Sequence, residues 1–418
     1  MNISQKVLAM SLSVSLLGAG TSVSQIAQAH DASHESVTKT DSKAVELRSN
    51  LDMLLSEHAY LATDTMRKGA EGSKDFDASV KSLNMNTKDL SKAIGDVYGQ
   101  EAGKEFEKMW AEHIGYFVDY VNATNDNDEN ARQEALKNLD NYREHFSQFL
   151  ASATDEKLEA KGLSEGLQMH VNQLVSAFDA SVNGDYDKAY KYERESIHHM
   201  YMVSKGLSNA ITQQFPEDYH HTSATTKAAD LRSDLNYLMS EHAILAADAM
   251  QNGYDGSKNY KASVKALEMN TKDLSKAIEG AYGKEAGMEF DKMWTEHIGY
   301  FVDYVEASKN KDEDAKKEAK SNLDNYSKGF GAFLSKATDN QLKSDELAEG
   351  LGMHVNQLLA SFDAYTKGDY KTSTMKVREA YAHMFMPAKG LSQAIVMQNK
   401  SKFEMNMPKE MPDTGAQK

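Results

Sequence analysis

The 418-residue chain contains no cysteine, and its 63 acidic against 47 basic side chains give a formal net charge of −16. Without thiols there can be no disulfide, thiolate metal ligand or C-x-x-C-H haem attachment, so any soft ligand must be one of the 22 methionines. The negative balance argues against nucleic acid and anionic lipid as partners, which call for clustered Lys and Arg, and favours cations.

Residues 1–29 have one early cation, Lys6, an apolar stretch over 7–19 and a small-x-small end at Ala27-Gln28-Ala29. This is the pattern of a secretory signal peptide and predicts a secreted protein, extracellular or associated with the cell wall. Residues 30–42 are expected to form a disordered N-terminal segment. No later stretch approaches the ~18 consecutive apolar residues of a membrane span, so no integral membrane segment is expected in the mature chain.

From residue 43 onward the chain is written twice. MWAEHIGYFVDY at 109–120 recurs as MWTEHIGYFVDY at 293–304, and the match runs at that offset without a gap from Leu47 to Ile211. The reading is a first helical-bundle repeat over 43–213, a linker over 214–226 containing Pro216, a second repeat over 227–397, and a disordered tail over 398–418. In the tail, Met411-Pro412-Asp413-Thr414-Gly415 is similar to the L-P-x-T-G signal of sortases, which adds wall attachment to simple secretion as an expectation.

Within each repeat, apolar residues recur at three and four without β-branched alternation, which predicts about six helices of about 25 residues. In the first repeat the breaks fall at Gly69-Ala70-Glu71-Gly72, Tyr98-Gly99, Asn125-Asp126-Asn127-Asp128, Thr154-Asp155 and Asn183-Gly184-Asp185. Helices two and six resemble each other, as do the odd helices, so the expected fold is all-α: two tandem domains, each a bundle of three αα-hairpins.

Measured along those hairpins at ~1.5 Å per residue, His58, Met85, His113, His170 and His199 fall at one height. The second repeat offers His242, Met269, His297, His354 and His383 at the same places, whereas His145 and His198 are matched by Gly329 and Ala382. Met202 and Met386 follow the last histidine of each set by three residues, and Glu195 and Glu379 precede it by one turn, as outer-shell groups or direct ligands. Imidazole with thioether and without thiolate suits copper, especially Cu(I), so the expected ligands are His58, Met85, His113, His170, His199 and Met202, with His242, Met269, His297, His354, His383 and Met386. Non-covalent haem on a His/His or His/Met pair is the alternative cofactor, and a structural surface protein without a ligand is the alternative class. Singly, such histidines and methionines are more often core residues, and the run Trp110, Tyr116, Phe117 and Tyr120 reads as packing alone. Pro387, absent from the first repeat where Val203 stands, is expected to free the carbonyl of His383 and kink the sixth helix.

Leu55-Ser56-Glu57-His58, residues 110–113, His170 and His199-Met200-Tyr201-Met202 together resemble a group of exported, two-repeat helical proteins of Gram-positive bacteria labelled copper amine oxidase. The resemblance implies copper and the oxidation of amines. The T-x-x-N-Y-D/E motif of quinone-dependent amine oxidases is met at 138–143 by Asn138 in place of Thr and Arg143 in place of the acid, and no H-x-H occurs. The residues therefore predict metal sequestration or buffering rather than amine oxidation.

Overall fold

The computed structural model describes residues 38–404. The signal-peptide reading, most of the 30–42 segment and the sortase-like motif lie outside the described residues.

The first repeat consists of α1 (Lys43–Glu71), α2 (Phe76–Tyr98), α3 (Gln100–Asn125), α4 (Glu129–Ala153), α5 (Ala160–Val182) and α6 (Tyr186–Gln214). Ser42, Asp128 and Asp185 cap α1, α4 and α6 by accepting a backbone N–H from the first turn, and Gly72 closes α1 in the left-handed region at φ 62°. The second repeat follows as α7 (Lys227–Asp255), α8 (Tyr260–Tyr282), α9 (Lys284–Asn310), α10 (Glu313–Ala337) and α11 (Ser344–Thr366), then a sixth helix in two pieces, α12 (Tyr370–His383) and α13 (Phe385–Gln398). A short α14 (Lys400–Phe403) ends the described chain. Consecutive helices pack antiparallel, and the sixth closes back on the first, so each repeat is a bundle of three αα-hairpins. The division of the last helix falls where Pro387 removes the amide that would bond the His383 carbonyl, while α6 runs unbroken through Val203.

The repeats interlock across a seam where α6 packs on α7 and α8, and α12 on α1 and α2. Arg194 of α6 grips Glu241 of α7 through two hydrogen bonds of 3.0 and 2.8 Å and reaches Asp273 at 2.9 Å. At the equivalent positions, Arg378 of α12 holds Glu57 of α1 at 2.8 and 2.7 Å and Asp89 at 2.8 Å. Arg48 with Asp230, and Arg232 with Glu46, form another matched pair. One hydrophobic core runs through both repeats, taking in Leu61 and Phe117 as well as Leu245 and Phe362, and a second gathers around Phe290, Trp294 and Leu391 in the second repeat. This explains why α1 and α7 are buried nearly all round at mid-length: one side faces its own bundle and the other faces the seam.

Close helix contacts in the hairpins rest on individual glycines. A Cβ on Gly103 would stand 2.6 Å from the Ser91 carbonyl oxygen and 3.0 Å from the Gly95 Cα, both backbone atoms that cannot turn aside. Gly103→Ala is therefore expected to destabilise the protein by about 1–3 kcal/mol. Gly115→Ala, where a Cβ meets nothing within 4 Å, should instead gain up to about 1 kcal/mol from helix propensity. Urea unfolding of both variants checks the contrast, and effects of the same sign would contradict it.

Candidate ligand site at the buried histidines

Helices α1, α3 and α5 each turn a buried stripe toward the middle of the bundle, and His58, His113 and His170 lie on those stripes, at most 3% exposed. In the second repeat His242, His297 and His354 do the same. The Nε2 atoms of His58 and His113 are 3.3 Å apart, as are those of His242 and His297. The His170 ring centres 5.7 Å from that of His58, and His354 lies at the same separation from His242. Tyr142 stacks on His113 at 4.9 Å between centroids, and Tyr326 on His297 at 4.8 Å.

In the second repeat the proton positions follow from the indole, whereas in the first Trp110 Nε1 and His58 Nδ1 make no hydrogen bond. Trp294 Nε1–H donates to His242 Nδ1 at 3.3 Å, and since an indole N–H can only donate, His242 carries its own proton on Nε2. That proton is donated to His297 Nε2, which places the second ring's proton on Nδ1. The Nδ1 atoms of His297 and His113 lack a partner of ordinary hydrogen-bond geometry. Burial drives His113 and His297 down to about 3, partly offset by the backbone of Trp110 and Trp294. His354 is also driven to about 3 by burial and by its neighbours His297 and His383, and His58, His170 and His242 fall well below the usual range for the same kinds of reason. The cluster is thus neutral through the physiological range.

His170 and His354 differ from their neighbours because neither ring nitrogen has any partner. A buried polar group left unsatisfied costs about 1–3 kcal/mol, so the position calls for an explanation. His199 and His383 are half-buried and donate Nε2–H to the carbonyls of Gly166 and Gly350 at 2.9 Å. Because a carbonyl only accepts, this occupies the Nε2 of each, and the two rings line the wall of an adjoining cavity instead of completing the inner group.

The methionines expected in the layer stand elsewhere. Met85 and Met269 are 42% and 44% exposed and line grooves at the seam beside Arg378 and Arg194. On α2 the buried stripe is Leu83, Asn86, Thr87, Leu90 and Ile94, and Met85 lies outside it. Its neighbour Asn86 points inward and donates to the Leu54 carbonyl and to Glu57. Met202 and Met386 are exposed at the rim of the cavity, and Glu195 and Glu379 are surface residues paired with Lys191 and Lys376. Trp110, expected only to pack, and its counterpart Trp294 lie 4.7 Å ring to ring from His58 and His242. The available signal was their position three residues before His113 and His297 on the same helix face.

The cavity beside His170 measures about 320 Å³ and is walled by Phe106, Trp110, Leu163 and Leu207 among other apolar side chains. Its counterpart beside His354 measures about 440 Å³ and includes Met384 and Pro387, at and just after the break in the sixth helix. Gly166 and Gly206, and Gly350 and Gly390 in the second repeat, lie in helix interiors on these walls, where each costs about 1 kcal/mol relative to alanine. Among the described residues, no group of three or more His, Asp or Glu side chains already has an arrangement that holds a metal ion. Among those residues, too, no helix is long and apolar enough to cross a membrane. Compared with family models, curated proteins and solved structures, the chain finds no match.

Proposed function

We propose that the protein binds copper as Cu(I), one ion per repeat, and sequesters or buffers it without covalent chemistry. The observation that carries this reading is the pair of Nε2 atoms 3.3 Å apart in each repeat. Two imidazole nitrogens bound to one ion at about 2.0–2.1 Å and a tetrahedral angle stand about 3.3 Å from each other. His58 and His113 would hold the ion in the first repeat, and His242 and His297 in the second. His170 and His354, with their unpartnered nitrogens, would be drawn in as third ligands. Burial keeps the imidazoles neutral, which is the form that ligates. Three neutral rings in apolar surroundings suit a monovalent soft ion, since a divalent ion without an anionic ligand would cost far more to desolvate.

The structural alternative also has an observation in its favour. The Trp294–His242–His297 chain pairs both nitrogens of His242 and one of His297 with no ion at all, but it leaves His354 unexplained. Ligation through His242 Nε2 moves the ring proton to Nδ1 and gives up the Trp294 hydrogen bond. Since Trp110 and Trp294 are the only two tryptophans, their fluorescence reports directly on the cluster.

Anaerobic Cu(I) titration of the full chain against a chromophoric chelator tests the proposal, with tryptophan emission followed in parallel. One ion per repeat is expected, lost on combining His113→Ala with His297→Ala and unchanged on combining Met85→Leu with Met269→Leu. Copper uptake that is indifferent to the histidine changes would overturn the reading and leave the structural one.

A further inference from the structure

We propose that each repeat also carries, beside the histidine cluster, a binding site for an uncharged, largely apolar small molecule with one oxygen that accepts a hydrogen bond. The same cavity occurs at equivalent places in both repeats, with Phe106, Trp110, Gly166, His170 and Gly206 answering to Phe290, Trp294, Gly350, His354 and Gly390. Its size, about 320 and 440 Å³, lies in the range of small-molecule sites.

Two independent observations indicate a ligand. First, His170 and His354 are 3% and 2% exposed, line the cavity, and have no partner on either ring nitrogen. A neutral imidazole always has one N–H to place, and it keeps that N–H even when its other nitrogen is given to an ion. The proposal therefore stands whether or not copper binds. Second, the nearest atom to a Cβ on Gly166 would be His199 Nε2 at 3.9 Å, and on Gly206 a Leu158 methyl at 3.6 Å. In the second repeat a Cβ on Gly350 would meet nothing within 4 Å, and one on Gly390 would press on a Leu342 methyl at 3.3 Å. Close packing therefore does not account for Gly166, Gly206 or Gly350, and the absent side chains leave the cavity open.

The charge of the ligand follows from the mouths. In the first repeat the exposed charged residues on the lining are Lys157 and Glu159, and in the second Lys343, Glu346 and Glu349. Neither mouth has a net positive charge to attract an anion. The interiors are apolar apart from the histidines and contain no carboxylate to hold a cation.

Equilibrium dialysis of the full chain, with a copper chelator present throughout, tests the inference with three probes that share one ring system: 2-naphthol, naphthalene and 2-naphthoate. The neutral alcohol is expected to bind once per repeat, roughly tenfold more tightly than the hydrocarbon, the equivalent of one net hydrogen bond. The anion should bind more weakly than the alcohol. Gly206→Leu combined with Gly390→Leu should abolish binding with the helical circular dichroism retained. His170→Phe combined with His354→Phe should erase the preference for the alcohol over the hydrocarbon. Equal binding of alcohol and hydrocarbon, preference for the anion, or binding that survives the leucine pair would each overturn the proposal, as would no binding by the unaltered chain. Because every arm is run without copper, these outcomes are separate from those of the copper titration.

Discussion

Replacing Arg194 by alanine is expected to destabilise the protein by about 3–5 kcal/mol, the range for breaking one partner out of a buried ion pair. The Glu241 side chain is fully buried, and Arg194 is the cation that meets both of its oxygens. Asn270 and Tyr237 also donate to Glu241, but neither brings charge, so the variant leaves a carboxylate without a counter-ion inside the seam. Adding Glu241→Gln to Arg194→Ala should recover part of the loss by removing the stranded charge. Arg378→Ala should behave alike, since Glu57 is almost as deeply buried. Urea unfolding measures all three. A loss below about 1 kcal/mol for Arg194→Ala would mean that the pair behaves as an exposed one.

Glutamine at position 193 is expected to leave stability nearly unchanged at about pH 5 and to raise it by a few kcal/mol at about pH 9. Glu193 lies on α6, buried beside Arg67 at 3.7 Å. Burial pushes its carboxyl up to about 8, with Arg67 opposing the change and Asp248, Asp64 and Glu241 adding to it. The folded protein therefore holds this proton more tightly than the unfolded chain, whose carboxyl titrates near 4.5. That contribution is complete below about pH 4.5 and is lost as the pH rises through about 8, at roughly 1.4 kcal/mol for each pH unit between the two values. Glutamine keeps the neutral form throughout, so the gap between variant and wild type should widen with pH. The buried histidines act in the opposite sense, removing stability as the pH falls below their unfolded value, but they are common to both proteins and cancel in the difference. Parallel stability profiles for the two would show that Glu193 is ionised in the fold.

The helices, their caps and the duplication were legible because each is written locally. Three-and-four periodicity marks the buried stripes, Ser, Asp and Gly mark the ends, and two copies at a constant offset mark the repeat. His58, His113 and His170 were legible for the same reason, since all three fall on apolar stripes. Met85 was misplaced because height along a helix was counted without rotation about it. One residue turns a side chain by about 100°, and the phase of Leu83, Asn86, Leu90 and Ile94 sends Met85 outward. The Nε2 bonds of His199 and His383 were hidden because their acceptors are backbone carbonyls of a neighbouring helix. The seam was hidden most fully. Nothing local announces the burial of Glu57, Arg194 and Arg378, and only the partner that each meets in the other repeat makes that burial tolerable.

The paired contacts across that seam have the form of an isologous interface, in which residue i meets residue j and j meets i in return. A chain of one repeat with the same surface would be complementary to itself, so a half-length ancestor could have worked as a symmetric dimer. Covalent fusion then frees each half to change alone. Arg67 and Glu193 now stand where the other half has Gln251 and Val377, and Asp52 where it has Asn236. In a homodimer each of these groups would necessarily occur twice, so their one-sided placement in the seam is a property that only the joined chain could acquire.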